Sequence, residues 1–187
     1  KNKTVYGALM MCATCSLDTL VEEVKKLKSY GADAVIIMDS TGSFLPDQVK
    51  ECFVKLSEVD IKLGFHAHNN LSLAVANSLI AIQHGASIID VTVNGFGAGA
   101  GNTPLEIMTI INSPSNMNVM DHIENLEYKS PTIKLINILT AKNKLHSVFE
   151  KEILYSANKY NIKIPNLVKE LGNRKLVAGQ EDLVRVI

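Results

Sequence analysis

Between residues 5 and 111, short apolar runs alternate with longer stretches of helical period, and few folds admit that alternation. Val5 to Met11, Ala34 to Met38, Ile61 to His66 and Ile88 to Val93 are short and apolar, as strands buried on both faces should be. After the first run, Ser16 can cap a helix with Leu20, Val21, Val24 and Leu27 on one face, ended by Gly31. A second helix opens at Pro46 and carries Val49, Phe53 and Leu56 inward. A third runs through Leu71, Val75, Leu79 and Ile82 and stops at Gly85, and Pro104 to Ile111 completes the series. Strands separated by helices pair in parallel, because each crossover returns the chain to the same end of the sheet. Cys12, Asp39 with Ser40, His66 with His68, and Asn94 all fall at C-terminal strand ends, where a closed (β/α)8 barrel and an open doubly wound sheet both place an active site. A barrel needs eight strands and about 250 residues. Read alone, the four strands over residues 1–112 make half of a TIM (β/α)8-type barrel.

From about Ser113 the alternation stops. Ser113-Pro114-Ser115-Asn116 has linker composition, and residues 113–187 are expected to form a helical C-terminal domain. Phe149, Ile153, Ala157 and Tyr160 make one stripe; Leu167, Val168 and Leu171 make another before Gly172. With 47% hydrophobic residues, the 187-residue chain can bury a substantial core. Nineteen basic residues balance nineteen acidic ones, which leaves no footprint for nucleic acid or an anionic membrane surface. No apolar run reaches the length of a membrane span and the first residues contain no signal-peptide core, so a cytoplasmic protein is expected. Three cysteines suit a reducing compartment. Cys12 and Cys15 have the spacing of a redox dithiol or half a zinc site, but only Cys52 remains to complete one, and it lies on a buried helix stripe; a structural role is expected.

The pair His66 and His68 carries the chemistry. Side chains two apart on a strand share a face, so both imidazoles project together and could hold a divalent cation, with room left for a carboxylate and a substrate. Two satisfied core histidines would look the same. His84 and His122, at a helix end and in the tail, are expected to be structural. The glycine-rich run Asn94 to Pro104 lacks the Lys-Ser/Thr ending of a phosphate loop and the downstream acid of a dinucleotide site. Its small residues allow close backbone approach to a ligand, with a helix N-terminus near Thr103 that favours an anion; a tight barrel-closing turn explains it equally well.

The run Gly64-Phe65-His66-Ala67-His68-Asn69-Asn70-Leu71-Ser72-Leu73-Ala74-Val75-Ala76-Asn77-Ser78, together with Gly97 to Glu106, resembles the 4-hydroxy-2-oxovalerate aldolases. These belong to the metal-dependent superfamily that includes hydroxymethylglutaryl-CoA lyase and isopropylmalate synthase. The resemblance continues through Lys159-Tyr160-Asn161, Val168 to Gly172 and Gly179-Gln180-Glu181-Asp182, nearly the whole chain. It implies a TIM barrel with a helical C-terminal domain that cleaves a 4-hydroxy-2-oxo acid to pyruvate and an aldehyde, using Mn²⁺ or another divalent cation such as Mg²⁺ or Co²⁺. By that resemblance His66 and His68 are the metal ligands, and His66, Ser40 and Asn102 meet the substrate. A cation chelated by the oxo acid would stabilise the pyruvate enolate left after bond cleavage. It also implies a small 2-oxo acid substrate, an acylating aldehyde dehydrogenase as partner, and a homo-oligomer or a complex with an N-terminal half.

The departures are equally specific. The family's first strand ends in Arg-Asp-Gly, which supplies an arginine, a metal-binding aspartate and, just beyond, a histidine base; no Arg-Asp pair occurs in this chain. Its start matches the family near the fifth barrel strand. Asp39 is the alternative carboxylate. Ungapped alignment back from Lys159 places His146 where the family has a tyrosine acid, which makes His146 the catalytic candidate in the tail. Two other readings stay open: a hydroxymethylglutaryl-CoA lyase-like or synthase-like enzyme acting on another oxo acid, and a non-catalytic remnant that binds a partner.

Overall fold

The computed structural model describes residues 3–112, 118–123, 126, 129–174 and 176–186. Strands β1 (Tyr6–Leu9), β2 (Ala34–Asp39), β3 (Lys62–Ala67) and β4 (Ala86–Asp90) form one parallel sheet in the order β1-β2-β3-β4. Each strand pairs with the next in sequence, as consecutive strands of a (β/α)8 barrel do. Between them run α1 (Leu17–Ser29), α2 (Pro46–Leu56) and α3 (Ala74–Gln83); α4 (Leu105–Asn112) follows β4.

The helices form for the expected reasons. Ser16 Oγ accepts from the Thr19 amide at the start of α1, and Leu20, Val21 and Val24 are buried beneath it. Pro46 opens α2, which buries Val49, Cys52, Phe53 and Leu56. One core joins these residues to the sheet, with Phe53 edge-on to Phe65 at 5.7 Å between ring centroids.

Three expectations need correction. The first strand is not buried on both faces: Val5 is 53% and Tyr6 56% exposed, because β1 is an edge of the sheet with a neighbour on one side only. The last strand stops at Asp90, and Val93–Gly95 turn as a short 3₁₀ segment in which Asn94 takes φ 52°. The buried face of α3 is Ala74, Asn77, Ser78 and Ala81, whereas Val75, Leu79 and Ile82 are half-buried and Leu71 precedes the helix. Small residues line the buried face of α3, where Asn77 Nδ2 donates to Phe44 O (2.8 Å) while its Oδ1 is left without a partner, and Ser78 Oγ lies 3.0 Å from Thr103 Oγ1.

The rest is helical: α5 (Asn118–Ile123), α6 (Leu135–Lys142), α7 (Glu150–Lys159) and α8 (Ile164–Asn173). Ile136, Phe149, Ile153, Leu167, Val168 and Leu171 anchor a second core. Tyr160, expected on that stripe, is 48% exposed, because α7 has ended at Lys159 and the chain is turning away. The linker Ser113 to Asn116 lies outside the described residues. No described helix is long and apolar enough to cross a membrane.

Candidate functional site

His66 occupies β3 and His68 stands just past its end, with ring centroids 5.1 Å apart. The shared direction follows from strand geometry, and a further contact holds each ring. His66 is the register partner of Asp90 on β4, and its Nδ1 lies 3.3 Å from Asp90 Oδ2. His68 Nδ1 lies 3.3 Å from the carbonyl oxygen of Ala98, in the glycine-rich turn. Burial, then the neighbouring His66, pushes the His68 pKa down to about 4, so its ring is neutral at physiological pH. A neutral imidazole is the form that can bind a metal.

The glycine-rich turn therefore works as a scaffold for His68. Asn102 forms an antiparallel bridge with His68, and its Nδ2 donates to Phe96 O (3.1 Å). Its Oδ1 is buried without a hydrogen-bond partner, an unusual condition for a native side chain. A cleft of about 280 Å³ opens beside it, lined in part by Asn69, Asn94, Asn102, Glu106 and Pro131.

Asn70, which no sequence signal singled out, locks this turn to two other segments. Fully buried, it accepts from the Ala100 amide (3.0 Å), and its Nδ2 donates to Thr41 O (3.0 Å) and Ser147 Oγ (2.9 Å). Gly99 has φ +66° beside it, and a Cβ there would stand 2.7 Å from Asn70 Oδ1 and 2.8 Å from Ser147 Oγ. The Asn70 to Ser147 bond sets the adjacent His146 against the barrel, its ring centroid 6.3 Å from that of His68. His146 caps the 3₁₀ turn Ser147–Phe149, with Nδ1 accepting from the Val148 amide (3.1 Å). Burial lowers its pKa, with Glu181 pulling weakly the other way.

Ser40 is buried at the end of β2, where its Oγ accepts from the Met11 amide (3.0 Å). It shares the strand-end face with the histidines, but its described partner is the chain leaving β1. Asp39 does not serve as the alternative metal carboxylate. Its oxygens accept from the Ser43 and Phe44 amides, both at 3.0 Å, and from the Thr41 hydroxyl, so it shapes its own loop. Burial raises its pKa against those bonds. Cys12 is buried, with burial pushing its thiol up to about 12 and its Sγ donating to Leu9 O (3.0 Å), and Cys15 is exposed; both thiols are free. His84 is the C-cap of α3 and half-buried, and His122 lies exposed on α5.

His66, His68 and the unpartnered Asn102 Oδ1 offer two nitrogens and one oxygen, donor types that suit a borderline divalent cation. Among the described residues no three His, Cys, Asp or Glu are grouped to hold a metal, so the set is short of a carboxylate.

Residues 1–129 match the HMGL-like family model, and residues 144–187 match the DmpG-like communication domain. A 4-hydroxy-2-oxovalerate aldolase of Spirochaeta aurantia is 42% identical over 196 residues, covering 98% of this chain and 58% of the relative. One from Pectobacterium atrosepticum is 39% identical over 194 residues, covering 97% and 57%. The chain thus spans a little over half the length of these relatives. The carboxyl transferase domain of Rhizobium etli pyruvate carboxylase, solved with pyruvate, superposes with a TM-score of 0.76 at 14% identity, over 98% of this chain and 37% of that one; the likeness is one of fold. The β-strand-end histidines, the glycine-rich turn that holds His68 and the matches along the chain lead to one assignment: this chain belongs to the HMGL-like family.

Proposed function

We propose that the chain is the metal-binding and tail-bearing part of a carbon–carbon lyase that cleaves 4-hydroxy-2-oxovalerate-type acids to pyruvate and an aldehyde. One observation carries the reading: two imidazoles held by their Nδ1 atoms beside a buried amide oxygen that lacks a partner. His66, His68 and Asn102 would hold the cation, Mn²⁺ or a similar ion. When bound, it would supply positive charge to the oxo-acid oxygens as negative charge develops during cleavage. Ser40, a hydroxyl that both accepts and donates, would orient the acid's carboxylate end, and His146 would give a hydrogen bond to a substrate oxygen.

The carboxylate ligand, the arginine and the base come, on this reading, from a complementary half-barrel on the same or another polypeptide. The exposed outer side of β1 and the shortfall in length against the relatives support this. The communication-domain match supports a second partner, an acylating aldehyde dehydrogenase that takes up the aldehyde.

Titration of the intact protein with Mn²⁺, read by electron paramagnetic resonance, tests the metal assignment. Binding lost in His66→Ala is expected, and binding unchanged in that variant overturns it. Pyruvate release from 4-hydroxy-2-oxovalerate should require the complementary half; cleavage by the 187-residue chain alone would refute the division of the site.

A further inference from the structure

Three histidine rings meet at this site, and each offers its Nδ1 to a partner of fixed character. A carboxylate and a carbonyl can only accept, whereas a backbone amide can only donate. Ala98 O, bonded to His68 Nδ1 at 3.3 Å, therefore requires Nδ1–H on that ring, and Asp90 Oδ2, 3.3 Å from His66 Nδ1, favours the same proton placement there, which leaves the lone pair of each ring on Nε2. The Val148 amide donating to His146 Nδ1 at 3.1 Å requires the opposite: the lone pair is on Nδ1 and the proton on Nε2.

We infer that these partners divide the labour of the site, with Asp90 positioning His66 as a ligand imidazole and the Val148 amide keeping His146 off the cation as an N–H donor. The inference rests on the proposal that His66 and His68 hold a metal. Asp90 is well placed for its part. It faces His66 across adjacent strands in register, so the contact is built by the sheet rather than by a loop. A carboxylate behind a ligating imidazole fixes its tautomer and raises the basicity of the other nitrogen. The carboxylate of β4 thus acts through a histidine. His146, whose ring lies beside that of His68, has the proximity of a third ligand but the wrong nitrogen protonated.

Long-range ¹H–¹⁵N spectra of the imidazoles in the intact protein read the tautomers directly. Nδ1–H is expected on His66 and His68 and Nε2–H on His146. Adding Zn²⁺ should move the Nε2 signals of His66 and His68 and leave the His146 Nε2–H in place. Asp90→Ala should weaken Mn²⁺ binding by about 10- to 100-fold and let His66 sample both tautomers; Asp90→Asn, whose amide oxygen still accepts, should recover most of the affinity. Loss of the His146 Nε2 proton on adding Zn²⁺, or native Mn²⁺ affinity in Asp90→Ala, would overturn the inference. If the tautomers are as stated but neither His66 nor His68 responds to Zn²⁺, the metal proposal fails while the sorting of the rings stands.

Discussion

Replacing Asn70 tests how the site is held together. Its side chain makes three hydrogen bonds to three separate segments, all in the buried interior: to Thr41 O, to Ser147 Oγ and from the Ala100 amide. Each is worth about 1 kcal/mol net, and the buried Ala100 N–H left without an acceptor adds a desolvation penalty of similar size or larger. Asn70→Ala should therefore cost about 3–5 kcal/mol. Asn70→Asp is more diagnostic, because it keeps the acceptor for Ala100 but sets a carboxylate oxygen against Thr41 O, which cannot donate. That variant should lose at least as much, since a buried carboxylate without its full set of donors is costly. The chain has no tryptophan, so urea unfolding followed by far-UV circular dichroism is the suitable assay. A cost below about 1 kcal/mol for Asn70→Ala, or native stability for Asn70→Asp, would refute the assigned bonds.

Two further outcomes follow from the same region. Gly99→Ala should be destabilised by backbone strain at φ +66° and by the close approach to Asn70 and Ser147, whereas Gly31→Ala, at φ +91° with nothing within 4 Å, should show the strain alone, about 1 kcal/mol; equal costs for the two would refute the clash. In metal-free buffer, the lowered pKa of His68, about 4, against the ordinary 6.5 means that the unfolded chain takes up the proton first as pH falls. Stability from this group is complete above pH 6.5 and declines by about 3 kcal/mol as pH drops towards 4. Chemical denaturation at a series of pH values should show that slope flattened in His68→Asn, and an unchanged slope would remove burial of His68 as its cause.

The strand–helix alternation was legible because α1 and α2 keep charged outer faces and large apolar inner ones, and because Ser16 and Pro46 mark their starts. The face of α3 was not, since its buried residues are Ala, Asn and Ser and its larger apolar residues are only half-covered. Helix α6 escaped notice for a related reason: Leu135 and Ile138 are exposed while Asn137 and Thr140 are buried, with Asn137 donating to Glu150. Exposure of β1 depends on its place at the sheet edge, a global property that no local pattern carries. At the site, the i, i+2 spacing revealed His66 and His68 directly. Asn102 and His146 were reached only through family resemblance. Asp90 and Asn70 were missed, because one acts across a strand register and the other joins loops far apart in sequence.

The bond between Asn70 and Ser147 also bears on the order in which the protein folds. Strands of the sheet meet their immediate successors, so each pairing closes a short span of chain. Ser147 reaches Asn70 across 77 positions, and the entropic cost of closure grows with the length enclosed. The sheet and its helices are thus free to consolidate first, and the tail docks onto a surface already formed. His146 joins the other two histidines in that last step, so a newly made chain acquires its folded barrel segment before its three site histidines stand together.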